Sequence, residues 1–151
     1  MKATEKVKGT LVTGVIGEDI HNIGISILEY ALRKAGFRIV SLGVQCSQED
    51  FIHAAIETKA DAILVSTLSG HAAITCSGLR DKCVEAGLKD ILLYLGGKLV
   101  IGEPPWKETE KMFKDMGVNR IYPPGTLPEP VIADLKTDLL IGKQREDLLN
   151  F

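Results

Sequence analysis

A chain of 151 residues in which 45% are hydrophobic and 25% are charged has the size and composition of one globular domain. Its formal net charge of -2 gives no electrostatic reason to bind nucleic acid or an anionic membrane surface. No apolar run approaches the roughly 20 residues that a membrane-spanning helix needs, so a membrane protein is not expected.

The cysteines and the N-terminus indicate a cytoplasmic protein. The three cysteines, Cys46, Cys76 and Cys83, are odd in number and form no C-x-x-C pair, as expected of reduced thiols. A zinc site made by His71, Cys76 and Cys83 is conceivable, but the spacings match no familiar zinc motif, and we expect these cysteines to pack in the core. The segment Met1–Lys6 is polar and lacks the apolar stretch of a signal peptide.

The first quarter of the chain contains a strand, a helix and a second strand. Leu11–Ile16 is apolar and bounded by Gly17, which predicts the first strand. Apolar residues then recur at helical spacing until Gly36 ends the pattern. They are Ile20, Ile23, Ile27, Leu28, Ala31, Leu32 and Ala35. Phe37–Leu42 predicts the second strand.

A helix start and a buried strand come next. Ser47 precedes an acidic residue three positions on, Asp50, and this spacing resembles a capping box with Ser47 as the N-cap. We expect the helix to continue to about Lys59. Ala62–Val65 is wholly apolar, which is typical of a strand that is buried on both faces.

The rest of the chain repeats the alternation of helix and strand. The pattern predicts three helices, separated by two strands. In chain order these elements are Ala73–Ala86, Ile91–Leu95, Trp106–Met116, Arg120–Tyr122 and Glu129–Leu140. The apolar stripe of the middle helix, which includes Trp106, Met112 and Phe113, is expected to belong to the core.

Five strands that alternate with helices predict an α/β fold with a doubly wound, parallel, flavodoxin-like sheet. Right-handed crossovers bring the loops after all five strands to one edge, where open α/β sheets bind their ligands. We expect a single domain over residues 1–151, with its core at about residues 10–139. The sequence leaves the structure of the tail, residues 140–151, open.

The loop after the first strand carries the pattern Asp-x-His-x-x-Gly, at Asp19, His21 and Gly24. The carboxylate of Asp19 can accept a hydrogen bond from one imidazole nitrogen of His21, which leaves the other nitrogen free to bind a metal. Gly24 leaves room for a bulky group to pass close to the backbone. The triplet therefore suggests a large metal-centred cofactor, although most Asp-x-His triplets bind nothing and the other loops must support it.

The loops at this edge do not match three common ligand sites. Gly14 and Gly17 have the wrong spacing for a dinucleotide fingerprint. The third strand ends in Ser66 and Thr67, where a response-regulator receiver has an aspartate. The acidic start of the first loop, Gly17–Asp19, would repel the phosphate that a flavodoxin binds there.

Three loops together carry a recognisable signature. Taken singly, Gly96 and Gly97 also suit a strand-ending turn, Ser66 a helix cap and Leu68 the core. As an ordered set, each after its own strand, the residues resemble the cobalamin-binding signature D-x-H-x-x-G…S-x-L…G-G. The matching residues are Asp19, His21, Gly24, Ser66, Leu68, Gly96 and Gly97. The resemblance is to the B12-binding domain family, and over about residues 10–139 to the small, cobalamin-binding subunits of glutamate mutase.

This resemblance implies a role for each residue of the signature. His21 would be the lower axial ligand of cobalt, in place of the dimethylbenzimidazole of the cofactor, and Asp19 would orient its imidazole. The nucleotide tail of the cofactor would enter a slot where Ser66 offers a hydroxyl to the benzimidazole nitrogen. Leu68 would line this slot, and the small residues Gly24, Gly96 and Gly97 would give it room. Ser69 departs from the aromatic residue that relatives often carry there, so no cofactor contact is assigned to it.

The function that the resemblance implies is that of an isomerase subunit. The chain would bind adenosylcobalamin, with its cobalt, for a radical carbon-skeleton mutase that interconverts L-glutamate and L-threo-3-methylaspartate. A larger catalytic subunit would cover the upper face of the cofactor, as a heterotetramer of two small and two large subunits, and the small subunit would be inactive alone.

Three alternatives stay open at this stage. The nearest is the cobalamin-binding subunit of a related mutase that acts on another acid. A second is a corrinoid protein of a methyltransferase system, although such proteins usually carry a helical domain before the cobalamin domain. A third is a corrinoid carrier or sensor module, which would need an output domain or a regulatory partner.

Overall fold

The computed structural model describes residues 9–149, and strands and helices alternate along them. The strands are β1 (Thr10–Val15), β2 (Arg38–Ser41), β3 (Ala62–Thr67), β4 (Leu92–Gly97) and β5 (Arg120–Tyr122). The helices are α1 (Ile23–Lys34), α2 (Gln48–Thr58), α3 (Ala72–Thr75), α4 (Leu79–Glu85), α5 (Trp106–Asp115) and α6 (Pro128–Leu149). The strands lie within two residues of the predicted bounds.

The strands form one parallel sheet with the order β2-β1-β3-β4-β5. This confirms the doubly wound α/β fold that the alternation of elements predicts. The chain moves from β1 outward to β2, and then returns to the other side of β1 with β3. The point where the order reverses is the place where such sheets bind ligands, beyond the carboxyl ends of their strands.

Helices cover both faces of the sheet, and alternate residues of β3 reach the two cores. Ile63 and Val65 pack with Phe51 of α2 and Phe113 of α5 in the larger core. Leu64 points to the opposite face, where the smaller core is built by residues of the sheet, α1 and α6. Because β3 contributes to both cores, its sequence is a continuous apolar run over Ala62–Val65, as predicted.

The start of α1 differs from the prediction. The helix begins at Ile23 instead of near Ile20, and no side chain caps it. Ile20, Ile23 and Ile27 are 64%, 76% and 57% exposed, so the apolar stripe that they form is not the core face. The buried residues of α1 are Ile25, Glu29 and Leu32.

The predicted helix Ala73–Ala86 is two short helices, α3 and α4. The helix is interrupted between them at Gly78, whose φ of +77° is a left-handed conformation that ends a right-handed helix. The capping box at the start of α2 is confirmed: the Ser47 hydroxyl accepts a hydrogen bond from the Asp50 amide, and the Asp50 carboxylate accepts one from the Ser47 amide.

Two expectations at the C-terminal end are corrected. Of the predicted core stripe in α5, Phe113 is fully buried, but Trp106 and Met112 are each 38% exposed. The last helix, α6, continues past the predicted end at Leu140 and includes the tail up to Leu149. The last two residues, 150 and 151, lie outside the described part of the chain.

The cysteines are buried and unpaired, as expected of reduced thiols that pack in the core. Burial raises the pKa of the Cys76 thiol to about 11. Over residues 9–149, no three histidine, cysteine or acidic side chains come close enough together to bind a metal ion by themselves. The same residues include no helix with the length and apolarity to cross a membrane.

The end of β4 provides a test of the fold. Gly97 has a φ of +110°, and a Cβ added there would lie 2.0 Å from the Thr67 carbonyl oxygen of β3. We expect Gly97→Ala to lower the free energy of unfolding by about 2 kcal/mol or more, because the backbone of β3 or β4 must move. Gly24→Ala is the matched control, since its Cβ would meet nothing within 4 Å. Urea unfolding measures both, and equal midpoints for the two variants would contradict the expectation.

Candidate functional site

A groove opens at the carboxyl edge of the sheet, between α1 and the segment that joins β5 to α6. Its volume is about 490 Å³, and most of its lining is apolar. Residues of β3 and β4 form the floor, α1 forms one wall, and the segment 123–128 forms the other. Six of the seven residues of the sequence signature line it: His21, Gly24, Ser66, Leu68, Gly96 and Gly97.

The floor of the groove is set by strand register. Ser66 pairs with Gly96, and Gly96 pairs with Tyr122 of β5, so these three residues form one row on the same face of the sheet. Gly96 has no side chain to fill the centre of the row. Ser66 lies inside β3 and does not cap a helix, and its hydroxyl makes no hydrogen bond to the residues that the structure describes. The Ser66 hydroxyl is therefore available as a donor on the flat, open floor of the groove.

Asp19 lies behind this groove and binds two loops at once. Its Oδ1 accepts hydrogen bonds from the His21 amide at 2.9 Å and from the His21 ring Nδ1 at 2.6 Å. Its Oδ2 accepts from the Leu68 amide at 2.6 Å and from the Thr67 hydroxyl at 3.2 Å. The carboxylate thus joins the loop after β1 to the loop after β3.

These hydrogen bonds decide the charge of Asp19. Burial by itself would raise the pKa of this carboxyl, but the bonds from the Leu68 amide, from the backbone and ring of His21 and from the Thr67 hydroxyl outweigh it and hold the pKa below its ordinary value. Asp19 is therefore an anion, which favours a proton on the neighbouring Nδ1.

The imidazole of His21 faces outward from this anchor. Its side chain is 67% exposed, whereas the carboxylate of Asp19 is 3% exposed. With Nδ1 engaged as a donor, Nε2 carries the free lone pair, which is the arrangement of a histidine that binds a metal through Nε2.

The loop that carries His21 is also held from the side of β2. The Gln45 amide donates to the Asp19 carbonyl oxygen at 3.1 Å, and the Gly17 amide donates to the Cys46 carbonyl oxygen at 2.8 Å. Gly17 has a φ of +78°, which lets the chain turn sharply after β1. The position of Asp19 is therefore fixed by backbone contacts as well as by its side chain.

The remaining signature residues occupy the rim. Gly24 lies in the first turn of α1 with open space beside it, and Leu68 is 45% exposed at the mouth of the groove, so it is not a core residue. Ser69 lies apart from the groove. It borders a second cavity, of about 370 Å³, on the other side of the His21 loop; its hydroxyl lies 3.0 Å from that of Thr67 and accepts a hydrogen bond from the His71 amide.

Sequence reasoning missed part of the groove. Tyr94, Tyr122 and the segment 123–128 line it, but none of them is in the signature. The motif Pro123-Pro124-Gly125 was a usable signal, because it follows β5 and must lie at the same edge of the sheet as the other loops. Thr67, which anchors Asp19, had no sequence signal of its own.

Comparisons with known protein sequences point to one family. The model of the B12 binding domain matches residues 9–119. The glutamate mutase sigma subunit of Clostridium tetani is 60% identical over 134 residues, which are 89% of this chain and 98% of that one. The sigma subunit of Clostridium cochlearium is 59% identical with the same coverage. That of Escherichia coli O157:H7 is 45% identical over 93% of each chain.

Known structures with the same fold include corrinoid proteins and a receiver domain. A cobalamin-binding protein from Desulfitobacterium hafniense DCB-2 matches with a TM-score of 0.70 at 18% identity, over 86% of this chain and 58% of that one. The monomethylamine corrinoid protein of Methanosarcina barkeri gives 0.67 at 24% identity, over 83% and 57%. The receiver domain of NarL from Mycobacterium tuberculosis gives 0.60 at 15% identity, over 87% and 96%. These similarities concern the fold alone.

The contact between Asp19 and His21 predicts a tautomer. At alkaline pH, where imidazoles are neutral, long-range proton–nitrogen NMR spectra of the wild type should show the proton of His21 on Nδ1. Asp19→Ala removes the acceptor, so the proton should move largely to Nε2. Glu18→Ala is the control, because Glu18 is an exposed acid in the same loop. If Asp19→Ala and Glu18→Ala give the same tautomer as the wild type, the carboxylate does not orient the ring.

Proposed function

The chain belongs to the B12-binding domain family and, within it, to the glutamate mutase sigma subunits, and from this membership we propose that it carries adenosylcobalamin for a carbon-skeleton mutase. The reaction is the interconversion of L-glutamate and L-threo-3-methylaspartate. The whole chain, residues 1–151, acts as one cytoplasmic domain with its core at about residues 10–139. The observation that carries the proposal is the imidazole of His21, held by a buried aspartate at the mouth of an apolar groove.

The residues of the site fit cobalamin. A cavity of about 490 Å³ with an apolar lining suits a flat heterocycle such as the dimethylbenzimidazole of the nucleotide tail. On the floor, the Tyr94 hydroxyl is engaged by Asp138, whereas the Ser66 hydroxyl has no acceptor among the described residues and Gly96 has no side chain, so Ser66 offers one donor beneath an otherwise open surface. On the wall, a Cβ at Gly24 would meet no protein atom within 4 Å, so this space is free for a ligand.

Each side chain then has a defined task. His21 would hold cobalt through Nε2, and Asp19 would keep the proton on Nδ1 so that Nε2 stays available. Ser66 would donate its hydroxyl to the benzimidazole nitrogen, because a buried acceptor without a donor would cost about 1–3 kcal/mol. Leu68 covers the mouth of the groove, and Gly24, Gly96 and Gly97 leave room for the tail. When bound, adenosylcobalamin supplies the cobalt–carbon bond whose homolysis starts the rearrangement.

A second protein is needed to enclose the reaction. The imidazole of His21 is exposed, and so are the apolar side chains of Ile20 and Ile23, its near neighbours in the chain, and of Leu68, which lines the same groove. Exposed apolar groups at the rim of a site are typical of a surface that another molecule covers. A larger catalytic subunit would cover the cofactor and exclude water from the reaction. We expect two small and two large subunits in the complex.

The alternatives are less well supported than the mutase. The methanol and monomethylamine proteins of Methanosarcina barkeri are 26% and 24% identical to this chain, which spans 52% and 57% of them. The glutamate mutase sigma subunits are 45–60% identical, and the chain spans 92–98% of them. A match over nearly the whole length of these subunits favours the mutase over a methyltransferase protein, a carrier or a sensor.

Histidine coordination can be tested directly by spectroscopy. The electron paramagnetic resonance spectrum of the cob(II)alamin complex should show hyperfine coupling to one axial nitrogen, and labelling histidine with nitrogen-15 should change this coupling. His21→Gly should remove the coupling and weaken binding without unfolding the protein, because the side chain is exposed. The chain has only two other histidines, so His53→Gln and His71→Gln together test every alternative histidine ligand. A spectrum insensitive to the label would exclude His21 as the ligand.

Dependence on a partner gives an independent test. The purified chain should bind cobalamin but form no 3-methylaspartate from L-glutamate, because we propose that the larger catalytic subunit binds the substrate. Addition of the larger catalytic subunit of a glutamate mutase should restore turnover and tighten cobalamin binding. His21→Gly, tested with the same catalytic subunit, should give little or no turnover. Turnover by the wild-type chain alone would contradict the two-subunit proposal.

A further inference from the structure

An ion-pair network lies between β5 and α6, next to the groove. Arg120 of β5 donates from Nε to Asp138 Oδ2 at 2.7 Å and from Nη2 to Asp138 Oδ1 at 2.9 Å. Its Nη1 lies 3.3 Å from Asp134 Oδ1. Asp134 and Asp138 are four residues apart and therefore lie on one face of α6. A single guanidinium thus links two successive turns of the helix to the edge of the sheet.

The same two carboxylates hold two tyrosines. Tyr122 donates its hydroxyl to Asp134 Oδ2 at 2.7 Å, and Tyr94 donates its hydroxyl to Asp138 Oδ2. The two rings lie 5.8 Å apart between centroids and are tilted by 53°. Each phenol has one acceptor, and Arg120 fixes both acceptors, so the rings have little freedom to turn.

Both tyrosines face the groove. Tyr94 pairs with Arg120 on the neighbouring strand, and Gly96 pairs with both Tyr122 and Ser66. Because side chains alternate between the two faces of a strand, Tyr94, Arg120 and Tyr122 lie on the same face of the sheet as Ser66. Tyr94 and Tyr122 line the cavity. The wall on the other side is tied down separately, by a hydrogen bond of 2.5 Å from the Thr13 hydroxyl of β1 to Glu29 of α1.

We propose that Arg120 is a positioning residue for the nucleotide tail of the cofactor: through Asp134 and Asp138 it fixes Tyr94 and Tyr122, and thereby the shape of the groove. This inference rests on the proposed function. A contribution to stability does not by itself explain this network. Partly exposed ion pairs stabilise a fold only slightly, and apolar residues often stabilise it as well as buried ion pairs do. Its geometric effect is specific, since the ring positions decide whether a flat heterocycle fits.

Two ligands separate this role from a general effect on the fold. Cobinamide has the cobalt and the corrin ring but lacks the nucleotide tail, so it can bind to His21 without entering the groove. We expect Arg120→Gln to raise the dissociation constant of cobalamin about tenfold, the size typical of residues that position a ligand-binding group. The dissociation constant of cobinamide should change by less than about twofold. Arg120→Lys, which keeps the charge but loses the planar fork, should restore only part of the difference.

Further variants make the outcome decisive. Tyr122→Phe removes one hydroxyl and should change cobalamin binding in the same direction without a loss of thermal stability. If Arg120→Gln fails to fold, Tyr122→Phe decides the question. Glu49→Gln is the matched control, since it breaks a 2.5 Å ion pair with Lys82 between α2 and α4, away from the groove, and should leave both dissociation constants unchanged.

The result can also distinguish this inference from the proposed function. If the wild type binds cobalamin with histidine coordination, but the folded variants of Arg120 and Tyr122 affect cobalamin and cobinamide equally or not at all, Arg120 does not position the groove. If the wild type shows no histidine coordination with either ligand, the proposed function itself fails, and this inference with it. Selective loss of cobalamin binding in both variants supports the positioning role.

Discussion

The carboxylate of Asp19 is the contact on which the rest of the site depends. A buried carboxylate is stable as an anion only when hydrogen bonds replace the water that it has lost, and Asp19 accepts four of them. Their donors come from the loops after β1 and β3, on the two sides of the point where the strand order reverses. One side chain therefore fixes the His21 imidazole and links the loop after β1 to the end of β3 in the same set of contacts.

The groove beside this anchor is a part of the sheet that the helices leave uncovered. Elsewhere the sheet is packed by helices on both faces, and most residues of its central strands are buried. At the carboxyl edge, Gly96 has no side chain, and a cavity lies between α1 and the segment 123–128. Polar contacts hold both walls to the sheet: the Thr13 hydroxyl of β1 donates to Glu29 of α1, and Arg120 of β5 donates to Asp138 of α6.

Exposed apolar side chains around His21 belong to the same functional arrangement. Ile20, Ile23 and Ile27 contribute little to the folding of the isolated chain, because more than half of each remains exposed to water. Ile27 lines the groove and Ile20 borders the second cavity beside His21, so we interpret them as part of a surface that the cofactor and the catalytic subunit would complete. The stability of the fold comes instead from the two cores, in which β3 is shared.

The sequence by itself determined the fold class and the central contact of the site. Alternating strand and helix patterns are local, and so is the hydrogen bond between Asp19 and His21, since these residues are only two positions apart in the chain. Only the tertiary structure decided the rest. It placed Thr67 on Asp19 and brought Arg120, Tyr94 and Tyr122 together through strand register and the docking of α6. It also turned the stripe of Ile20, Ile23 and Ile27 toward solvent. The physical reason is that apolar periodicity shows which residues share a face, but burial depends on what packs against that face.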